Sequence, residues 1–411
     1  MRGRTVESLL EPCEPELLAS AVVDTIAVAA DPRSREASIF YWERGRRLAL
    51  AVVEGTGQLE DARTRELAAS LFANPADPDV YHALHGHLVE LQVEQHSDKL
   101  EALLKLAWQS ESNSRLGYHV GVHYVPSGTA PGAADLKALP PREPTQDPAD
   151  AEVLVVIPFR DRGANAHRLR NLLACLLSLR DQSAPRRSYR VVVVESDETP
   201  RHRETIEPFA DEYLFAEKAG SFNKSWAVNV GVVNAAGAAQ VVCVLDADVL
   251  ADREFIARNA ARFRRPGAMG HLSYRNMWCL DEAATGAAIT NRLSDRAPHV
   301  PVERLRAFVL RRPPGCCVWS RLSAYHRIGG MDERFEGWGG EDNDFLYRMD
   351  TNSAFDSYDD PLLHMYHPSS AVLLDNGDIV NAHIPALTWP PDARIGDPAR
   401  FAAQPAAPAL T

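Results

Sequence analysis

The stretch AQVVCVLDADV (239–249) is a β-branched, apolar run that ends in two aspartates one residue apart. A run so uniformly apolar leaves no face for water, so it reads as a strand buried on both sides, as parallel strands are. EVLVVIPF (152–159) and YRVVVVES (189–196) repeat the pattern. Between those two, HRLRNLLACLLSLRDQ (167–182) spaces its leucines at helical intervals, and SFNKSWAVNVGVVNAA (221–236) gives a second helix before the third strand. Strand, helix, strand, helix, strand predicts an α/β fold, a Rossmann-like, mostly parallel sheet flanked by helices with right-handed crossovers. Ligands of such sheets bind beyond the carboxyl ends of the strands. Polar residues gather there: Arg160, Asp161 and Arg162 after the first strand, Glu195 and Asp197 after the second, Asp246 and Asp248 after the third.

The chain has 411 residues, 45% hydrophobic and 24% charged, enough for two or three domains with sizeable cores. A net charge of −12 argues against a nucleic-acid or anionic-membrane binder. Residues 1–150 hold 14 Lys and Arg against 23 Asp and Glu, leaving 30 against 33 for the remainder. An anionic substrate therefore belongs with the nearly balanced C-terminal part. No apolar run reaches the roughly 18–20 residues needed to cross a bilayer, and the N-terminus is too soon broken by Glu and Pro for a signal peptide. The six cysteines show no CxxC pair. Buried free thiols and a cytoplasmic location are expected.

Residues 1–125 read as a mostly helical accessory region, through which a homo-oligomer could form. His82, His85, His87 and His96 lie close together there, but their spacing lacks the i, i+4 pair of a helical metal site, and capping or solvated roles are expected. Residues 126–150, rich in Pro, Gly and Ala, read as a linker. A catalytic domain is expected over 151–389 and a poorly ordered tail over 390–411.

Several constellations could carry chemistry. Asp246 and Asp248 can hold a divalent cation that neutralises a diphosphate, although an Asp pair can equally mark a turn. In the run Pro158, Phe159, Arg160, Asp161, Arg162, two guanidinium groups suit phosphate oxygens, while arginines also start ordinary surface helices. Phe222 offers a platform for a base and Lys224 another cation, unless they merely open a helix. His364 and His367 could complete a metal site begun by Asp248. The most specific stretch is GWGGEDND (337–344). Its glycines permit close approach to a ligand, Trp338 presents a flat face to a sugar, and Glu341 and Asp342 supply carboxylates for hydrogen bonding and proton removal. First-turn acids complementing a helix dipole would explain the charge but not the Trp-Gly-Gly before it.

In this order, IPFRDR (157–162), SFNKSWAVNVG (221–231), VLDADV (244–249), IGGMDERFEGWGGEDNDFLYRM (328–349) and HMYH (364–367) resemble the GT-A nucleotide-sugar glycosyltransferases. The likeness is above all to the catalytic domain of the beta-1,4-galactosyltransferase family. Bacterial family-2-like and chondroitin-polymerase-like enzymes and the polypeptide N-acetylgalactosaminyltransferases share some of these features. It spans about residues 152–370.

The resemblance implies a UDP-sugar donor, an acceptor hydroxyl and a divalent cation, manganese in the first place and magnesium in the second. Pro158, Phe159, Arg160 and Arg162 match the segment that grips uridine and diphosphate, and Phe222 an aromatic beside the uracil. Lys224 stands where the galactosyltransferases have arginine. Glu195 and Asp197 look more like the acids that contact base or ribose in bacterial enzymes, and Asp246 joins the donor-binding set. Asp248 and His367 match metal ligands, and His364 replaces a methionine ligand. Trp338, Gly339 and Gly340 match the loop that closes over both substrates, Glu341 an acceptor-binding acid and Asp342 the general base of an inverting displacement. A retaining N-acetylgalactosaminyltransferase-like enzyme, a nucleotidyltransferase and a non-catalytic carbohydrate-binding scaffold are the rival readings. The Glu-Asp order favours inversion, IPFRDRGANAHR is a poor match to a nucleotidyltransferase loop, and the intact acids and histidine argue against a scaffold.

Overall fold

The computed structural model describes residues 14–94, 97–126, 129–139, 151–163 and 165–402. His96, Cys13, most of the expected linker and the last residues of the expected tail lie outside them. The chain divides into two compact units.

The first unit comprises residues up to Gly128 together with two later segments, Trp278–Ala284 and Pro301–Arg311. Its main helices are Pro15–Ala30, Ile39–Gly57, Ala62–Ala73, Pro78–Glu94 and Asp98–Ser114. Residues 21–28 of the first are all buried, so this apolar helix forms the middle of the bundle. The strand Leu116–Val120 follows and pairs antiparallel with Arg306–Arg311, Leu116 opposite Leu310. Arg306 is buried against Asp31, Asp281 and the Tyr118 hydroxyl, and Arg311 pairs with Glu111 at 2.9 Å. A charge as deeply buried as that of Arg306 persists only when paired. The histidines of Pro78–Glu94 hold the bundle together: His87 lies 2.7 Å from the capping carboxylate of Asp61, and His82 is 2.8 Å from the Val120 carbonyl.

The second unit is built on a seven-stranded sheet. Its strands are β1 (Val153–Phe159), β2 (Tyr189–Glu195), β3 (Glu212–Phe215), β4 (Val241–Leu245), β6 (Gly270–Leu272), β7 (Cys317–Arg321) and β8 (Phe355–Ser357). The order is β8-β6-β7-β4-β1-β2-β3. The four strands β3, β2, β1 and β4 run parallel, as their apolar runs predict, and every residue of β1, β2 and β4 is buried. Beyond β4 the sheet turns mixed, because β7 runs antiparallel to both β4 and β6. A short ladder outside this sheet joins β5 (Val249–Leu250) to β9 (Leu362–His364), pairing His364 with Val249.

Three helices position the site. Helix α1 (His167–Arg180) begins where the Asp161 carboxylate accepts the backbone N–H groups of Gly163 and Leu169. Helix α2 (Lys224–Asn234) is capped by Asn223, whose side-chain oxygen accepts from Trp226 N at 2.8 Å. At Gly231 a β-carbon would lie 2.5 Å from Val156, so glycine lets α2 settle onto β1. Helix α3 (Glu341–Asn352) starts at the Trp-Gly-Gly loop.

Residues 390–402, expected as a loose tail, are instead packed. Phe401 is buried edge-on against Trp226, Gly396 N donates to Glu333 at 2.7 Å, and Arg400 pairs with the same carboxylate at 2.5 Å. The Pro/Ala bias of this segment hid an anchor made of one aromatic ring and one ion pair.

Candidate active site

The parallel strands end at one edge, and the strand order reverses between β1 and β4, the place where such sheets bind ligands. After β4 the chain turns through Asp246 and Asp248 before entering β5. Register on the short ladder sets His364 opposite Val249, and Met365 N donates to the Asp248 carbonyl at 2.8 Å. His364 Nε2 and His367 Nε2 thereby come within 3.3 and 2.8 Å of the two oxygens of Asp248. The three ligand atoms lie within 4.8 Å of one another, the only such group among the described residues.

This cluster fits a divalent cation. Asp248 is buried and its Oδ1 has no hydrogen-bond partner. Burial alone would raise its pKa, yet the two imidazoles hold it well below the usual carboxylate range. Burial keeps His364 below its ordinary value, favouring the neutral imidazole that binds metals. His367 Nδ1 lies 2.9 Å from the Pro368 carbonyl. A proton on Nδ1 leaves the Nε2 lone pair facing Asp248, an arrangement completed by a cation between them and oriented by the outer hydrogen bond. Helix α1 braces the segment from behind: Arg170 donates to the Tyr366 carbonyl at 2.8 Å, and Asn171 to those of Met365 and Tyr366.

Beside the triad lies a second cluster. Lys224 Nζ stands 2.8 Å from Asp246 and 3.1 Å from Asp342. Burial would lower the Lys224 pKa, but the surrounding carboxylates keep it well above its ordinary value and the ammonium charged. Burial raises Asp342, with Lys224 opposing and Asp246 adding to the rise. Glu341 is pushed up to about 7 by burial and the neighbouring Asp342 charge, and its Oε2 has no hydrogen-bond partner. Asp344 is a structural acid, buried and paired with Arg348 at 2.8 Å while accepting from Leu387 N.

The Trp-Gly-Gly loop needs its glycines. Gly339 and Gly340 both have φ of 101°, and a β-carbon at Gly340 would meet the Phe335 ring at 2.7 Å. Asn381 donates to the Gly339 carbonyl at 2.9 Å, and Gly337 N to that of Phe222. Trp338 remains half-buried at the loop's tip.

Other residues singled out from the sequence are more deeply committed than their chemistry implied. Arg160 donates to the carbonyls of Ser196, Lys218 and Gly220 and lies over Phe222, so it ties loops together. Arg162 pairs with Asp197 and Glu198. Glu195 receives the Tyr213 hydroxyl at 2.5 Å and the backbone of His202. Pro158 and Phe159 are buried strand residues, with Phe159 edge-on to His202. Asn223 is the helix cap that the plainer reading of SFNK implied.

The sequence reading missed Gly315. Asp342 packs so close to it that a β-carbon there would lie 2.0 Å from Oδ2. The next residue, Cys316, has a left-handed φ of 65° and accepts Asp246 N on its carbonyl. Tyr274 donates to the Gly315 carbonyl. The signal was the sharp turn in PPGCC (313–317), which carries no chemistry by itself.

Two family models match the chain. Residues 154–283 match the glycosyl transferase family 2 model, and residues 310–366 match the model described as the N-terminal domain of galactosyltransferase. Both models describe glycosyltransferases, and the two matched stretches run along the seven-stranded sheet. Among solved structures, S. aureus TarS 1–349 is 15% identical over 52% of this chain and 60% of its own, with a TM-score of 0.36. The catalytic domain of Drosophila beta1,4-galactosyltransferase 7, in complex with xylobiose, is 15% identical over 55% of this chain and 77% of its own, with a TM-score of 0.31. The chain thus spans less than two thirds of the TarS fragment. No curated protein matches it.

Proposed function

We propose that this protein transfers a hexose or N-acetylhexosamine from a UDP-sugar to an acceptor hydroxyl with inversion, aided by a divalent cation. The observation that carries this reading is the convergence of Asp248, His364 and His367 beside the Lys224–Asp342 pair at one edge of the parallel sheet. A cation held by the triad, Mn2+ before Mg2+, supplies positive charge to the donor diphosphate.

The chain's own residues do the rest. Phe222 and the loop ends braced by Arg160 form the walls for the uridine. Trp338 shields the sugar from water, and Glu341 holds the acceptor by hydrogen bonding. Asp342 takes the acceptor hydroxyl proton as that oxygen forms a bond to the anomeric carbon. The bond from that carbon to the diphosphate oxygen breaks on the opposite face, and its electron pair leaves with UDP. Lys224 restrains Asp342 by their ion pair, and burial of Asp342 raises its basicity against the opposing effect of that ammonium.

A panel of nucleotide sugars with Mn2+ and with Mg2+, read by thermal shift, tests the donor class, because a bound donor raises the melting temperature by mass action. UDP release and NMR of the product's anomeric configuration test transfer and stereochemistry. A protein unmoved by every UDP-sugar would sink the proposal, and a retained configuration would overturn the inverting part alone.

A further inference from the structure

The cations that the sequence sets at the mouth of the sheet are already engaged. Arg160 serves three carbonyls, Arg162 serves Asp197 and Glu198, and Lys224 lies between Asp246 and Asp342. A departing nucleoside diphosphate carries more negative charge than one divalent cation neutralises, so a further donor beside the triad is required.

Arg168 is differently placed. It lies in the first turn of α1, two and three residues before Arg170 and Asn171, which grip the backbone between His364 and His367. His167, its neighbour, packs edge-on against Tyr366. The same turn of α1 thereby carries Arg168 beside the segment that bears His364 and His367. Its Nη2 reaches Ser370 Oγ at a long 3.4 Å, three residues beyond His367, and the guanidinium is half exposed. Among the described residues no carboxylate lies within ion-pairing distance of it.

The geometry points to Arg168 as a diphosphate-binding residue that donates to the non-bridging oxygens of a nucleoside diphosphate seated at Asp248, His364 and His367. This rests on the proposed function. A positive charge beside a cation site opposes the bare metal. It becomes favourable when an anion arrives that can touch both, and the planar guanidinium suits two phosphate oxygens at once.

This double character gives a test that a merely structural arginine would fail. Calorimetry on the full chain compares wild type, Arg168→Gln and Arg168→Lys, titrated with Mn2+ alone and with UDP in saturating Mn2+. Arg168→Gln is expected to weaken UDP about tenfold, equivalent to about 1.4 kcal/mol, while Mn2+ alone binds as well as before or about twofold tighter. Arg168→Lys keeps the charge but not the fork and is expected to weaken UDP about threefold. Equal loss of both ligands would mark a structural residue and overturn the assignment, as would unchanged UDP affinity. If the glutamine variant fails to fold, the lysine variant decides on the same comparison. Wild-type protein that binds no UDP would instead remove the proposed function beneath it.

Discussion

Lys224 Nζ lies 3.1 Å from Asp342 Oδ2, a contact made between the first turns of two helices more than a hundred residues apart in the chain. Asp246 shares the same ammonium. The carboxylate proposed to take the acceptor's proton is therefore held by a cation in this structure.

Replacing that carboxylate tests its role. Asp342→Asn is expected to lower turnover by about 100- to 10,000-fold, the usual range for a lost general base, while UDP binding in Mn2+ stays within about twofold. Steady-state UDP release and calorimetry on one preparation give both readings, and undiminished turnover removes Asp342 from the mechanism.

Gly315 should be sensitive as well, because it faces that acid. A β-carbon at this position would meet Asp342 Oδ2 at 2.0 Å, so Gly315→Ala must displace the carboxylate or the loop. Transfer is expected to fall at least tenfold while the circular dichroism spectrum is kept. A fully active alanine variant would show that Asp342 need not sit where it is seen.

The candidate metal cluster predicts a linkage. Asp248→Ala and His367→Ala each remove a ligand atom from the triad and should abolish the rise in melting temperature that Mn2+ and UDP together produce in wild type. Chelation of wild-type protein with EDTA should have the same effect. A UDP response that survives all three treatments would divorce donor binding from these residues.

Glu341 gives the stability a definite pH dependence. Its folded pKa, pushed up to about 7, exceeds the ordinary 4.5, so the folded protein binds this proton more tightly than the unfolded chain. Its contribution is therefore fully present below 4.5 and declines as pH rises through 7. Glu341→Gln stays neutral throughout, so the variant should gain on wild type across that window when urea midpoints are compared. Parallel curves would contradict it.

The docked tail can be weighed directly. Phe401→Ala removes a buried ring from the Trp226 face and is expected to cost about 3 kcal/mol. Chemical denaturation reads it, and a loss below about 0.5 kcal/mol would mean the segment merely rests there.

The parallel half of the sheet was legible because its strands are buried on both faces, which leaves an uninterrupted apolar signature in the sequence. The grouping of Asp248 with His364 and His367 was legible too, since DAD and HMYH stand out by residue type, and a short ladder brings them together. Partnership was not legible. Nothing in IPFRDR reveals that Arg160 serves three carbonyls, or in SFNK that Lys224 bridges two acids, because those bonds depend on loops distant in sequence. Nothing in the leucine-spaced stretch 167–182 sets Arg168 apart from Arg170, and the antiparallel strand β7 left no parallel-strand pattern to follow. The tail misled for the opposite reason: its composition suited a linker, whereas its anchor lay in two side chains.

The strand Leu116–Val120 waits a long time for its partner. Leu116 pairs with Leu310, and Arg306 and Arg311, which answer Asp31 and Glu111 inside the helical bundle, arrive with that same late segment. During synthesis the bundle helices emerge early, with Glu111 lacking its arginine and a strand edge lacking its neighbour. They stay in that condition until the ribosome has passed Arg311. Such long-range closure slows folding and exposes the edge to other chains. A gene fragment cut at the Pro-rich junction after residue 125 would therefore not yield the first unit as a separable piece. One ending just beyond Arg311 would be the shortest to contain every strand and arginine on which that unit closes.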